Sequence, residues 1–238
     1  MGAQARGLRQ GERRRAALRV AAHARRLLFH EVHAPRKARN LRRRLLRRPT
    51  APGAALRPLA TRPGSRVELR DLLLSDREAF LEMVRESREL HRPWTYPPER
   101  PDQFDDLVSR TVRDDFACLV TTLVENGDIV GIFTISQIVR GYFQSAYLGY
   151  YASARHAGKG LMGESMALVL DHAFGPLSLH RLEANIQPGN APSVALARGA
   201  GFRLEGYSPR YLLIGGRWRD HERYAITADE HAASDRRT

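Results

Sequence analysis

A glycine-rich turn offers the clearest chemistry in this 238-residue sequence. Residues 155–163 read RHAGKGLMG and lie between an apolar and aromatic run, YLGYYA at 147–152, and a stretch of helical periodicity. The backbone N–H groups of such a turn, with the dipole of the following helix behind them, bind phosphate groups. The turn therefore predicts an anion site at the start of a helix.

Three phosphate-binding motifs compare with this turn. The P-loop pattern fails twice, because Ser153 stands in place of its first glycine and Gly160 in place of its serine or threonine. The dinucleotide pattern is matched by the three glycines of the turn and by Glu183 further on. However, the dinucleotide pattern should start directly after its strand, whereas the run YLGYYA ends at residue 152, several residues before Gly158. The chain after the turn is also too short to complete a doubly wound domain. The third motif, R-x-x-G-x-G from Arg155 to Gly160, suits the pyrophosphate of coenzyme A.

The positive charge of the chain is concentrated at its N-terminus. Residues 1–66 hold 19 of the 39 Lys and Arg residues against two acids, whereas the remainder is mildly acidic. We expect residues 1–64 to form an Arg-rich extension, partly helical over 13–32 or disordered. Three interpretations remain open: an arm that contacts ribosomes or RNA, a helix on an anionic membrane surface, or a solvated tail without a role, including a start-site artefact.

Other features of the sequence predict a cytoplasmic protein without a metal. No apolar run approaches the length of a spanning helix, and the N-terminus does not resemble a secretory signal. The lone cysteine, Cys118, cannot form an intrachain disulfide, and its apolar neighbours predict a buried structural thiol. No Cys or His cluster has the spacing of metal ligands.

The periodicity predicts an α+β or α/β domain over residues 65–228 and a polar tail at 229–238. The predicted element order is β α α β β β α β α β β. Ser75 to Glu78 reads as a capping box that starts a helix ending near residue 88. Asn126-Gly127 and Gly215-Gly216 predict the turns of two hairpins. The helix after the glycine turn has one predicted apolar face, formed by Met162, Met166, Val169, Leu170 and Ala173.

These motifs together resemble the GNAT superfamily of acetyl-CoA-dependent N-acetyltransferases, whose pyrophosphate loop is R/Q-x-x-G-x-G/A. The downstream sequence HRLEANIQPGNAPSVALARGAGFRLEGYSPRYLLIGGRWRDHERYAI, together with Arg92-Pro93-Trp94, resembles the ribosomal-protein-alanine branch, the RimJ/RimL type. The resemblance covers about residues 66–228. It implies a mixed central β-sheet flanked by helices, and acetyl-CoA as the cosubstrate. The implied cofactor-binding residues are Tyr151, Ala152, Arg155, His156, Ala157, Gly158, Lys159, Gly160 and Asn190.

Acetyl transfer from a thioester to an amine needs a base, an oxyanion site and an acid for the leaving thiolate. The resemblance assigns Glu183 as the base, acting directly or through water. Alternatively, this carboxylate pairs with an arginine such as Arg181 or Arg203. Backbone N–H groups around Tyr151 and Ala152 are expected to hold the oxyanion.

The acid is assigned through a departure from the family pattern. Ala197 stands where many relatives have a tyrosine, and Ser193 of Asn190-Ala-Pro-Ser193 matches the serine proposed as the acid in the ribosomal branch. Both Ser193 and Asn190 have a second interpretation, because each residue type can simply cap the helix.

The expected acceptor is a primary amine, foremost the N-terminal α-amino group of a ribosomal protein, which attacks directly in a ternary complex. Residues from the Pro-rich loop and the last hairpin are expected to bind it: Trp94, Tyr96, Trp218, Asp220 and His221. His221 is also a possible second base. A small-molecule amine such as an antibiotic or polyamine is the alternative acceptor, and a ribosome or RNA-binding factor is the alternative class. The chain is expected to be a monomer or a homodimer.

Overall fold

A computed structural model describes residues 58–235 of the chain. The predicted basic helix at 13–32 and the rest of the extension up to residue 57 lie outside the described residues. The strands are β1 (Val67–Asp71), β2 (Phe116–Leu123), β3 (Ile129–Val139), β4 (Ser145–Ala152), β5 (Arg181–Ile186), β6 (Arg203–Ile214) and β7 (Arg217–Thr227). The α-helices are α1 (Arg77–Glu86), α2 (Arg88–His91), α3 (Pro101–Ser109), α4 (Leu161–Phe174), α5 (Ala191–Gly199) and α6 (Ala228–Asp235).

The seven strands form one mixed sheet in the order β1-β2-β3-β4-β5-β7-β6. All neighbouring pairs are antiparallel except β4 and β5, which run parallel and are joined through α4. A parallel pair needs such a crossover, because a tight turn cannot return the chain to the starting edge. The predicted mixed sheet with flanking helices is confirmed.

Each face of the sheet carries its own apolar core. On one face, α4 buries Met166, Val169, Leu170 and Ala173 against strand residues, as its predicted apolar face requires, while Met162 is half-buried. On the other face, α1 and α3 bury Phe80 and Phe104 against β2 and β3. Cys118 belongs to this second core, and burial raises the pKa of its thiol to about 12, so it is an inert structural thiol as expected.

Both predicted hairpin turns are confirmed. Gly127 has φ of +79° between β2 and β3, and Gly215 and Gly216 have φ of +57° and +76° between β6 and β7. Only glycine adopts this left-handed region without a steric cost, so these dipeptides fix both hairpin registers.

The start of the first helix differs from the prediction. The Ser75 to Glu78 capping box is wrong, because the carboxylate of Asp76 accepts the backbone N–H of Leu73 at 2.8 Å and pairs with Arg70. The predicted single helix is also interrupted at the buried Ser87, which separates α1 from α2. The Ser87 hydroxyl instead accepts the N–H of Ala154 at 2.8 Å, which ties this break to the chain following β4. The tail expected at 229–238 begins inside α6, which covers Ala228–Asp235.

Candidate active site

The parallel strands β4 and β5 diverge after a short contact. Only three residue pairs join them, from Ser145 with Arg181 to Tyr147 with Glu183. Beyond Tyr147, β4 continues to Ala152 beside β3, and β5 continues to Ile186 beside β7. The two strands therefore separate in the middle of the sheet, and we refer to the space between them, where backbone groups lack a strand partner, as the cleft. In an open sheet, ligands bind at the carboxyl ends of parallel strands.

The glycine turn lies at the end of β4 and opens α4. Gly158 and Gly160 have φ of +73° and +76°, and Gly160 is the N-cap of α4. Among the described residues, no hydrogen bond uses the N–H of Gly158, Lys159 or Gly160. The first turn of any α-helix adds further N–H groups without an intrahelical partner. The turn therefore presents a set of unpaired donors at the positive end of the helix dipole, as an anion site requires.

The side chains of the turn face other partners. The guanidinium of Arg155 contacts the Glu86 carboxylate of α1 at 2.9 Å. His156 is buried, with Nε2 3.4 Å from Asp128 Oδ2 but without hydrogen-bond geometry. Lys159 is exposed. In this conformation the turn offers an anion its backbone N–H groups, while the guanidinium of Arg155 already has a carboxylate partner.

The free edge of β4 supplies the groups expected to hold an oxyanion. Ser153 donates its N–H to Val130 in β3 at 2.9 Å, and hydrogen-bond direction alternates along an antiparallel strand. The N–H of Tyr151 thus points toward β3, whereas the N–H groups of Tyr150 and Ala152 point toward the open side. The sequence-based expectation named Tyr151 and Ala152, and the register favours Ala152 of the two.

His91 of α2 contacts the end of β4 on its open side. Its Nε2 donates to the carbonyl oxygen of Ala152 at 2.8 Å, and its ring stands edge-on to that of Tyr151. Burial lowers the pKa of His91, so the neutral imidazole is favoured. The second nitrogen, Nδ1, and the hydroxyl of Tyr151 are buried without a hydrogen-bond partner in the described part of the chain.

Ser193 and Asn190 lie at the start of α5, on the β5 side of the cleft. The Asn190 side chain accepts the N–H of Ser193 at 3.3 Å and is the N-cap of α5, so the alternative interpretation of Asn190 as a helix cap is realised. Its assignment to the cofactor stays a prediction. The Ser193 hydroxyl reaches across to β4 and lies 2.9 Å from the hydroxyl of Tyr150. Burial raises the pKa of Tyr150 to about 12, so its hydroxyl stays protonated. Ala197 is fully buried and offers no proton.

Glu183 belongs to a chain of ion pairs. Arg181 donates to Glu183 at 2.8 Å and also contacts Glu205, which in turn pairs with Arg203. The alternative that Glu183 pairs with Arg181 is therefore realised in this structure. The contact with Arg181 involves one carboxylate oxygen, Oε1, and the Glu183 side chain remains partly exposed. This arrangement leaves the assignment of Glu183 as a base as a prediction.

The Pro-rich loop connects both sides of the predicted acceptor site. The carbonyl of Trp94 accepts the Gln187 side chain at 2.9 Å, and the Trp94 ring is so close to Gly189 that an added Cβ would lie 3.0 Å from it. Tyr96 packs on Gly215 of the last hairpin in the same way, because a Cβ added at Gly215 would lie 2.6 Å from the Tyr96 hydroxyl oxygen. Both predicted residues therefore hold the loop over the segment that follows β5 and over the β6–β7 turn.

The three predicted residues of the last hairpin have different roles. Asp220 accepts from the Tyr207 hydroxyl at 2.5 Å and from the N–H of Arg210 at 2.7 Å, which stabilises an irregular stretch of β6. His221 is buried, its ring nitrogen Nδ1 donates to the Arg219 carbonyl oxygen, and burial lowers its pKa. Trp218 is 61% exposed. Within residues 58–235, no hydrogen bond or ring contact joins Asp220 or Trp218 to Trp94 or Tyr96.

Sequence reasoning missed two groups at this site, the hydroxyl of Tyr150 and the imidazole of His91. Alternation along YLGYYA could have separated Tyr150 from Tyr151, because successive strand residues face opposite sides of a sheet. No comparable signal marked His91. Within residues 58–235, no group of three or more His, Cys, Asp or Glu residues is arranged to hold a metal ion. No helix in that range is long and apolar enough to span a membrane.

The mixed sheet, the separation of β4 and β5 at its centre and the glycine turn that opens α4 are together typical of the acetyltransferase class. The model of the acetyltransferase (GNAT) domain matches residues 66–203, more than half of the chain. The chain belongs to the GNAT family and is an N-acetyltransferase.

Known proteins refine this assignment. The chain is 31% identical over 171 residues to the probable N-acetyltransferase YjcK of Bacillus subtilis, covering 68% of this chain and 94% of that protein. It is 40% identical over 103 residues to the [ribosomal protein uS5]-alanine N-acetyltransferase of Escherichia coli, covering 43% of this chain and 53% of that protein. The structure of Mycobacterium smegmatis RimJ in complex with CoA-disulfide is 32% identical, with a TM-score of 0.64 over 74% of this chain and 88% of that chain. These relatives support the predicted RimJ/RimL-like branch.

Proposed function

We propose that this enzyme transfers the acetyl group of acetyl-CoA to the N-terminal α-amino group of a protein, in the first place a ribosomal protein. The observation that carries the proposal is the divergence of β4 and β5 beside a turn with unpaired N–H groups. The pyrophosphate of the cosubstrate is assigned to Gly158, Lys159, Gly160 and the first turn of α4. Its pantetheine arm is assigned to the free edge of β4.

The reaction is a direct attack of the neutral amine on the thioester carbonyl. The α-amino group has a pKa of about 8, so a reactive neutral fraction exists near neutral pH, and a carboxylate beside the nitrogen accepts its proton during the attack. We assign this step to Glu183, directly or through water, with the Oε2 oxygen free of the Arg181 contact. The N–H groups on the open side of β4, foremost that of Ala152, stabilise the developing oxyanion.

Departure of the thiolate completes the transfer. The C–S bond breaks as the amide forms, and the sulfur takes a proton from the Ser193 hydroxyl. The hydroxyl of Tyr150, 2.9 Å away, can donate to Ser193 Oγ as the serine loses its proton. The attacking nitrogen loses one proton to Glu183 as the amide forms, and Glu183 passes it to solvent. Solvent restores the proton of Ser193, so neutral amine and acetyl-CoA give the amide and the CoA thiol with no net change of charge.

The choice of a protein N-terminus as acceptor rests on the relatives of the ribosomal-protein-alanine type. A small-molecule amine is the competing acceptor, since spermidine N(1)-acetyltransferase of Vibrio cholerae is 24% identical over 153 residues. An assay with acetyl-CoA labelled in the acetyl group separates the two. The acceptor panel contains peptides with Ala, Ser or Met at the N-terminus, the same peptides with blocked N-termini, spermidine and an aminoglycoside.

Mass spectrometry of the products decides the outcome. We expect one acetyl group on the α-amine of the peptide with N-terminal Ala, and none on the blocked peptide that retains a lysine side chain. If only spermidine or the aminoglycoside is acetylated, the acceptor is a small-molecule amine and the proposed protein acceptor is wrong. If calorimetry detects no binding of CoA, the proposed dependence on acetyl-CoA is wrong. Contact of residues 1–64 with ribosomes is a separate hypothesis, tested by ribosome co-sedimentation with and without them.

A further inference from the structure

Arg66, directly before β1, contacts the turn that opens α4. Its Nη2 donates to the carbonyl oxygen of Lys159 at 3.0 Å, and its Nε and Nη2 contact the Glu164 carboxylate at 2.8 and 2.5 Å. The backbone N–H of Arg66 donates to the other oxygen of Glu164 at 3.0 Å. One arginine thus contacts both a carbonyl of the turn and a side chain in the first turn of α4.

The contact with Lys159 fixes the orientation of one peptide group. In a trans peptide, the C=O of one residue and the N–H of the next point in opposite directions. Because Arg66 holds the Lys159 carbonyl, the N–H of Gly160 points away from Arg66. Glycine at φ of +76° has no Cβ to oppose rotation of this peptide, so an external contact must select the orientation.

The contact with Glu164 balances a charge. A carboxylate in the first turn of α4 lies close to the donors that the turn presents, where it would repel a bound anion. The paired guanidinium offsets this repulsion, although both side chains are partly exposed, at 55% and 31%. The hydrogen bond from Arg66 lowers the pKa of Glu164, which keeps the carboxylate charged and the pair intact near neutral pH.

We propose that Arg66 is a positioning residue for the cosubstrate: it orients the Lys159–Gly160 peptide toward the pyrophosphate and neutralises Glu164 beside it. The inference rests on the proposed use of acetyl-CoA. The residue directly before β1 would thus contribute to cosubstrate binding, although it lies outside the glycine motif. The residue does not touch the reacting atoms, so its effect falls on cosubstrate binding rather than on the chemical step.

The test measures binding of CoA and of 3′-dephospho-CoA by calorimetry, with the melting temperature of each variant. Arg66→Ala is expected to weaken both ligands by the same factor of about ten, because both contain the pyrophosphate. The KM for acetyl-CoA should rise similarly while kcat changes less than twofold. A loss confined to CoA would mean that Arg66 contacts the 3′-phosphate, which would overturn the positioning role.

Two further variants separate positioning from stability. Arg77→Ala removes a comparable bidentate pair with Asp105, between α1 and α3, and should lower the melting temperature without changing the Kd for CoA. Glu164→Gln keeps one acceptor oxygen for Arg66 while removing the negative charge, so CoA should bind equally well or more tightly. This variant also tests the proposal if Arg66→Ala does not fold.

The outcomes distinguish a failure of the proposed function from a failure of the positioning role of Arg66. If the wild-type enzyme does not bind CoA, the proposed function fails. If it binds CoA and Arg66→Ala binds within twofold of wild type, the positioning role alone fails. A more than threefold weaker binding in Glu164→Gln would likewise contradict the charge argument.

Discussion

The hydroxyls of Tyr150 and Ser193 lie 2.9 Å apart and connect β4 with the first turn of α5. The two residues are 43 positions apart in the chain and border the cleft from opposite sides. Tyr150 OH also lies 3.2 Å from the carbonyl oxygen of Ser193, so it has two acceptors within reach. The pair therefore places a protonated phenol directly behind the serine that we assign as the acid.

Substitution of this pair should affect the chemical step. We expect Ser193→Ala to lower kcat about 10- to 100-fold, in the range of a lost acid–base group, with an unchanged KM for acetyl-CoA. Tyr150→Phe should give a smaller loss of kcat, because a water molecule can replace the tyrosine hydroxyl as a hydrogen-bond donor to Ser193. Steady-state kinetics with both substrates varied checks this, and equal kcat values for Ser193→Ala and wild type would exclude the serine as the acid.

Removal of the proposed base should change the pH profile. In Glu183→Gln we expect at least a tenfold loss of kcat/KM at pH 7 that narrows above pH 8, where the acceptor amine loses its proton unaided. Glu205→Gln is the matched control, since Glu205 contacts the same Arg181. If both variants show the same pH-independent loss, the effect belongs to the ion-pair chain and Glu183 is no base.

The glycine turn permits a matched comparison of two positions. Gly158 in the turn and Gly141 between β3 and β4 have φ of +73° and +72°, and both have open space around an added Cβ. Alanine at either position should cost about 1 kcal/mol of unfolding free energy, from backbone strain. Only Gly158→Ala should weaken CoA binding in calorimetry. Equal affinity in both variants would place the pyrophosphate elsewhere.

The Pro-rich loop should affect the acceptor and not the cosubstrate. Trp94→Ala removes the ring that packs on Gly189, and we expect the acceptor KM to rise about tenfold. The KM for acetyl-CoA should stay within twofold. Tyr142→Ala, at a 98% exposed aromatic residue between β3 and β4, is the control and should change neither constant. A rise in the acetyl-CoA KM of Trp94→Ala would place the loop at the cosubstrate instead.

Buried histidines predict loss of stability in mild acid. Burial lowers the pKa of both His91 and His172, with Asp71 opposing the effect weakly at His172. The unfolded chain therefore takes up these protons first as the pH falls. Stability is complete above the unfolded pKa of about 6.5 and decreases as the pH falls toward the lower native values.

Urea unfolding at pH 7.5 and 5.5 measures this decrease. Because His172 is buried with Nδ1 unpaired, His172→Leu should show a smaller difference between the two pH values than wild type. Carboxylates such as Asp171 and Glu164, whose pKa values are lowered, lose their contribution only at more acidic pH. A wild-type protein that is more stable at pH 5.5 would contradict the prediction.

Local patterns along the sequence determined the elements and the phosphate-binding turn. The apolar runs of β2 and β3, the Asn126-Gly127 turn and the apolar face of α4 each depend on neighbours within a few residues, so they are readable without the fold. The glycine turn is equally local, because its conformation depends on the missing Cβ of Gly158 and Gly160.

Only the tertiary structure decided which side chains meet. The Tyr150–Ser193 and Arg66–Lys159 contacts join residues 43 and 93 positions apart, and the Arg155 guanidinium reaches a glutamate of α1. The site depends on where β4 and β5 separate and on how α4 and α5 pack on the sheet. Such packing depends on the sum of many distant contacts, and no short stretch of sequence contains it.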